Sequence, residues 1–202
     1  MINGLGTAVA LASYFLLTTL YSFKLKRLAV VDVLLLASLY TLRVLIGGIA
    51  TATPLSPWLL GLSMFLFLSL ALAKRFAELE GVHQDSEKKV PGRGYRPSDT
   101  IAIGTMGIAS GFLAILVFTL YINGSSTAIQ SYPSRGLLWL VAPLLLYWTM
   151  RLWLIAFRGQ LDEDPVLFAA KDRVSWIIAV LTLLLGAAAS VSWPVSPLSL
   201  VP

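Results

Sequence analysis

The sequence predicts an all-α integral membrane bundle, on three observations. Six apolar segments fall at roughly 4–21, 29–50, 57–73, 100–122, 136–157 and 174–193, each close to the ~20 residues with which a helix crosses about 30 Å of hydrocarbon. The hydrophobic fraction of 57% and mean hydropathy of +0.82 lie far outside the range of soluble domains, and 12% charged residues is about half the usual share. The charges are also confined: 24–28, 74–99 and 158–173 are dense in them, whereas 51–56 and 123–135 carry only Arg135. Backbone groups in lipid must be satisfied within the membrane-spanning structure, so these stretches imply one helical bundle over 1–202 with no second soluble domain.

Taken in order, the first segment has no basic residue ahead of Leu5, and its cations, Lys24, Lys26 and Arg27, follow it. That excludes the usual signal peptide and orients the helix with its N-terminus outside. A chain that starts at once inside a helix suggests that further sequence belongs in front of it. The second and third segments are joined by Thr51–Pro57, whose prolines suit a helix break and restart, giving an antiparallel hairpin. If the third helix continues inward, Lys74, Arg75 and Glu78 share one face. Gly104, Gly107 and Gly111 in the fourth allow close helix approach. Trp58, Tyr121, Tyr132, Trp139 and Trp193 read as interfacial anchors. The basic loops 22–28, 74–99 and 158–173 then face the cytoplasm, with both termini outside and the plasma membrane as the expected location. All ten acidic residues fall on that inner side, which places the chemistry there.

The net charge of +5 does not point to nucleic acid, because the basic residues sit beside helix ends among carboxylates. Anionic lipid or a phosphorylated substrate fits better. The absence of cysteine excludes thiol catalysis and cysteine-ligated metals. Three inner segments are candidates. Tyr21 to Arg27 reads either as a stop-transfer cluster or as a phosphate clamp through Tyr21 and Lys26. Lys74, Arg75 and Glu78 read either as structural pairs or as a phosphate and Mg²⁺ site, with Glu78 as metal ligand. Pro91 to Pro97, with Arg93, reads as an anion wrap or a flexible lid, and His83 as a solvated residue. Asp162, Glu163 and Asp164, with Asp172, read either as a solvated charged hairpin before the last helix or as a segment in which one or two of the three consecutive acids point at an ion. Within the spans, Asp32 lies near the inner interface, whereas Arg43 and Arg151 lie deeper and need a polar pocket or a route to the surface.

These residues carry a resemblance. Tyr21-Ser-Phe-Lys-Leu-Lys26, Val31-Asp32-Val33, Tyr40-Thr-Leu-Arg43 with Gly47, Lys74-Arg75-Phe-Ala-Glu78 and Asp164-Pro165 with Lys171-Asp172-Arg173 together resemble the UbiA superfamily of prenyltransferases. The similarity is greatest to the branch containing decaprenyl-phosphate phosphoribosyltransferase, and it covers most of the chain in order. The resemblance implies a nine-helix bundle with a cytoplasmic cavity, the six helices here corresponding to the fourth through ninth. It implies Mg²⁺, a polyprenyl phosphate or diphosphate, and a phosphorylated small-molecule co-substrate, with transfer of phosphoribose to the lipid phosphate or of the prenyl group to an acceptor. Tyr21 and Lys26 resemble the family's tyrosine-lysine motif, with an interval of five where four is commoner. Lys74, Arg75 and Glu78 take the place of its second aspartate-rich motif, and Asp172 and Arg173 that of its motif before the last helix.

The family's first aspartate-rich motif and the three helices around it have no counterpart here, so the chain is expected to be the C-terminal two-thirds of such an enzyme, completed by a missing segment or subunit. For the complete enzyme the resemblance implies metal-assisted substitution at the carbon bearing a pyrophosphate. Lys26, Arg75 and Asp172 are the expected catalytic residues, with Tyr21, Lys74, Arg43, Arg93 and Arg173 as substrate contacts. The alternatives are prenyl transfer to a small acceptor, a non-catalytic partner subunit, or a transporter, the last disfavoured because the outer loops are almost uncharged.

Overall fold

The structure, a computed structural model, describes residues 2–53, 55–81, 94–161 and 164–192, and no strand occurs among them. Helix α1 (Ile2–Phe23) leads through a 3₁₀ turn at Leu25–Arg27 into α2 (Val31–Ala50). The two run antiparallel, with Gly6 beside Ile49 and Tyr14 bonded to Arg43. Helix α3 (Pro57–Gly81) starts on a proline, whose missing N–H is lost at no cost in a first turn. It continues past the apolar segment because Lys74 to Glu80 are mostly strong helix formers with no glycine or proline before Gly81. The expected continuation of the helix past its apolar segment is therefore present.

Helix α4 (Thr100–Gly124) lies against α3 and α6. Its glycines make that approach possible: a Cβ at Gly107 would stand 2.1 Å from Trp153 Cζ2, and one at Gly111 2.5 Å from Thr149 Cγ2. A buried hydroxyl joins the three helices, since Ser69 Oγ donates to the Gly107 carbonyl at 2.8 Å and accepts from Trp153 Nε1 at 3.1 Å. Around it, Leu72, Phe76, Ile103, Leu152, Trp153 and Ala156 form the core.

After the short α5 (Ser126–Ser131), a 3₁₀ segment at Arg135–Leu140 feeds α6 (Val141–Phe157). The last expected span, 174–193, falls on one helix, and the charged segment ahead of it holds a further short helix. Helix α7 (Pro165–Lys171) and α8 (Arg173–Ala189) meet at 81°, because Asp164 caps the first and Asp172, in extended backbone, ends it and caps the second. Among the described residues, four helical stretches are long and apolar enough to cross a membrane, Val31–Ala50, Pro57–Gly81, Pro97–Gly124 and Arg135–Phe157, or five with the bent pair. The first expected span is helical but contributes a shorter apolar stretch, Ala8–Phe23. The chain reads as an all-helical, multi-pass membrane protein.

Candidate active site

The charged ends of α2, α3, α4 and α7 converge. Arg75 is turned into the bundle and is 1% exposed. Its Nε donates to Asp32 Oδ2 at 2.6 Å, and its Nη1 donates to Glu78 Oε2. Asp32, in the first turn of α2, is fully enclosed. Its Oδ1 accepts from the Tyr95 hydroxyl at 2.5 Å and from the Val33 N–H at 2.7 Å. The Tyr95 oxygen accepts the Val30 N–H at 2.7 Å. A guanidinium at this depth requires such company, since an uncompensated buried charge is expensive. Burial, and then the bond to Asp32, push the Tyr95 phenol well above its ordinary pKa.

Beside this network Lys74 Nζ donates to Asp164 Oδ2 at 2.6 Å, and both side chains are partly exposed. Asp164 also accepts the Val166 N–H at 3.0 Å. Burial acts to raise its pKa, but the bonds from Lys74 and Val166 and the charges of Lys74 and Arg75 outweigh it, holding the carboxyl below its ordinary range. A third pair lies between α6 and α8: Arg151 grips both oxygens of Asp172 at 2.7 and 3.0 Å. The same carboxylate accepts Ser175 N–H at 2.8 Å, and Ser175 Oγ accepts from Trp148 Nε1 at 2.9 Å. Asp172, expected as a catalytic residue, is thus placed as a helix cap and an anchor for Arg151.

Of the other expected residues, Lys26 is exposed and has no ion-pair partner among the described residues, Tyr21 is half-buried and Arg173 exposed. Arg43 is not brought to this end. It lies about 17 Å along α2 from Asp32 at 1.5 Å per residue, where Nε and Nη2 both donate to the Tyr14 hydroxyl, at 2.8 and 2.5 Å, and the guanidinium packs on the Tyr40 ring. Arg93, His83, Asp162 and Glu163 lie outside the described residues.

Two members of the network escaped the sequence reading. Asp32 appeared as an acid near the interface and within one of the resembling stretches, with no site role, although an acid in the first turn of an apolar helix already demands a partner. Tyr95, hidden in a charged loop, gave no signal of its own.

Among the described residues no three acids or histidines gather into a metal cluster. Glu78 and Asp164 are the partly exposed carboxylates here. Their oxygens are of the kind that Mg²⁺ takes, and each is bonded to a cation, Glu78 to Arg75 and Asp164 to Lys74. An apolar groove of about 490 Å³, lined by Leu66, Leu145, Trp148, Ile178, Ala179 and Leu183, runs between α3, α6 and α8.

No known family profile matches the sequence. It is 36% identical over 188 residues to an uncharacterized protein, y4nM, of Sinorhizobium fredii, covering 89% of this chain and 36% of that protein. It is 33% identical over 178 residues to nodulation protein NoeC of Azorhizobium caulinodans, covering 87% of this chain and 56% of that protein. To decaprenyl-phosphate phosphoribosyltransferase of Mycolicibacterium smegmatis it is 25% identical over 173 residues, covering 85% and 54%. The similarity to a transferase is partial. The chain spans between about a third and just over half the length of these relatives.

Proposed function

We propose that the chain belongs to a UbiA-type membrane transferase acting on a polyprenyl phosphate or diphosphate, its helices equivalent to the fourth through ninth of that fold. The specific reaction proposed is phosphoribosyl transfer to a polyprenyl phosphate. One observation carries this reading: Lys74, Arg75 and Glu78, the stretch matching the family's second motif, stand at one end of the bundle with Asp32, Tyr95 and Asp164 packed around them. The similarity over most of the chain to a protein named for this reaction supports it.

In this reading a phosphate oxygen of the lipid attacks the anomeric carbon of phosphoribosyl pyrophosphate. The carbon–oxygen bond to pyrophosphate breaks, and pyrophosphate leaves with the bonding pair. Lys26, which is exposed, and Lys74, which is partly exposed, hold the leaving group by charge, with Tyr21, Arg93 and Arg173 as further contacts. Arg75 acts from within, fixing Glu78 through its Nη1. Mg²⁺, when bound to Glu78 and the phosphates, would neutralise charge on the leaving group. The groove between α3, α6 and α8 would take part of the isoprenoid tail.

The test is an assay in membranes carrying the chain together with whatever sequence adjoins it in its gene, with radiolabelled phosphoribosyl pyrophosphate and polyprenyl phosphate. Mg²⁺-dependent label in lipid is the expected result, lost on chelation. Label only from a polyprenyl diphosphate and a small aromatic acceptor would replace this reaction with prenyl transfer. No transfer with either pair would leave a non-catalytic subunit.

A further inference from the structure

The turn bearing Lys24, Lys26 and Arg27 ends in an unfavourable backbone conformation. Val30 has φ 67° and ψ −44°, and the Val31 N–H donates to the Ala29 carbonyl at 2.8 Å across it. This is a γ-turn of the strained hand, adopted by a β-branched residue. Such conformations cost about 1–3 kcal/mol and persist only where surrounding structure fixes them. Here the fixing contacts come from 65–67 residues away in sequence. The Val30 N–H is held by the Tyr95 hydroxyl at 2.7 Å, and that hydroxyl donates to Asp32, the partner of Arg75. Gly94 lies so close to the turn that a Cβ there would stand 2.8 Å from Ala29 N and 2.9 Å from the Arg27 carbonyl oxygen. No side chain fits between the two segments, so the turn and the limb leading into α4 are seated backbone against backbone.

We propose that Tyr95 is a positioning residue: its hydroxyl ties the strained basic turn to the buried Asp32–Arg75 pair, keeping that turn and the Lys74–Glu78 face at one fixed spacing for a phosphorylated head group. The head-group part rests on the function proposed above; the tie itself does not. The hydroxyl touches both sides, accepting from the backbone of the turn and donating to the carboxylate that holds Arg75. Removing it leaves the Val30 N–H without that acceptor and Asp32 without one of its donors, while Arg75 stays paired. The strained turn can then relax, and its cations move relative to α3.

The chain has no cysteine, so spin labels can be placed at Lys24→Cys and Glu80→Cys alone, one on the turn and one at the end of α3. In the full protein the label-to-label distance distribution should be single and narrow. Tyr95→Phe, which keeps the ring, should broaden or shift it, and should weaken binding of Mg²⁺-pyrophosphate to the unlabelled protein at least about five-fold. Gly94→Ala, which drives the limb off the turn with the hydroxyl intact, should do the same and serves if Tyr95→Phe does not fold. An unchanged distribution in the folded variant overturns the proposal. So does a broadened distribution with unchanged pyrophosphate affinity, which would make the tie purely structural. If the parent protein binds no pyrophosphate, the head-group reading fails at its base, whereas loss confined to the variants supports both.

Discussion

At Asp32, a single carboxylate serves Arg75, Tyr95 and the Val33 N–H inside an enclosed site. Removing one partner of such a pair strands the other's charge, which typically costs about 3–5 kcal/mol. Asp32→Ala is therefore expected to lower stability by that order in thermal unfolding in detergent. The double change Asp32→Ala, Arg75→Met should recover part of it, because no charge is then left inside the enclosed site; Glu78, which loses Arg75 as well, is partly exposed. The partly exposed Lys74–Asp164 pair should behave differently. Lys74→Met is expected to change stability by less than about 1 kcal/mol while reducing transfer activity, so the two lysine and arginine neighbours separate by readout. Tyr95 adds a pH signature. Its folded pKa lies above the ordinary value of about 10, so its contribution is complete below pH 10 and is lost as pH rises through the folded value. The stability advantage of the parent over Tyr95→Phe should shrink on raising the pH from about 9 to 11; an advantage that grows would contradict the assignment.

Among the elements, α4 and α6 are fitted by glycine. At Gly107 an added methyl would meet the Trp153 ring, enclosed in the core, whereas at Gly186 on α8 it would meet nothing within 4 Å. Gly107→Ala is expected to destabilise by about 1–3 kcal/mol through overpacking, and Gly186→Ala to be neutral or stabilising through helix propensity; equal effects would mean that α4 and α6 do not approach as described. The elements also show what was legible in the sequence. Spacing alone placed Lys74, Arg75 and Glu78 on one inward helix, since their periodicity and helix propensity are local properties. The short helix α7 ahead of the last span was not legible, because Asp164 and Asp172 read as members of a charged hairpin until their capping bonds are seen. The buried network was hidden for a related reason. Arg75 joins Asp32 across 43 residues and Tyr95 joins Asp32 across 63, and no periodicity encodes a meeting at that separation. Arg43 showed the reverse: its depth was legible, but its partners on α1 and α2 are aromatic hydroxyl and ring faces, not the ions of the charged end.

For the whole molecule, the division of charge between the two ends makes a statement about sidedness, because basic residues resist translocation whereas apolar ends do not. Lys24 and Arg158 mark the charged end. Thr53, in the turn between α2 and α3, marks the other. The end of α8 also reaches that other side, since Ser134, next to the 3₁₀ segment that feeds α6, donates from its N–H to the Ala189 carbonyl at 3.1 Å and from its hydroxyl to Val191 at 2.9 Å. Helix α8 therefore runs from Asp172 at the charged end toward the opposite one over 17 residues, about 25 Å at 1.5 Å per residue, a little less than a hydrocarbon core. Single cysteines at Lys24, Arg158, Thr53 and Val191 in the otherwise cysteine-free chain allow this to be read in intact cells with a membrane-impermeant thiol reagent. Thr53→Cys and Val191→Cys should be labelled from outside, and Lys24→Cys and Arg158→Cys only after permeabilisation. That outcome would make α8 a full crossing despite its length, with α7 lying at an angle beneath it as the cytoplasmic edge of the groove. Labelling of Val191→Cys only after permeabilisation would instead make the bent pair a re-entrant element and remove the crossing that brings Asp172 and Arg151 to the same face as Lys74.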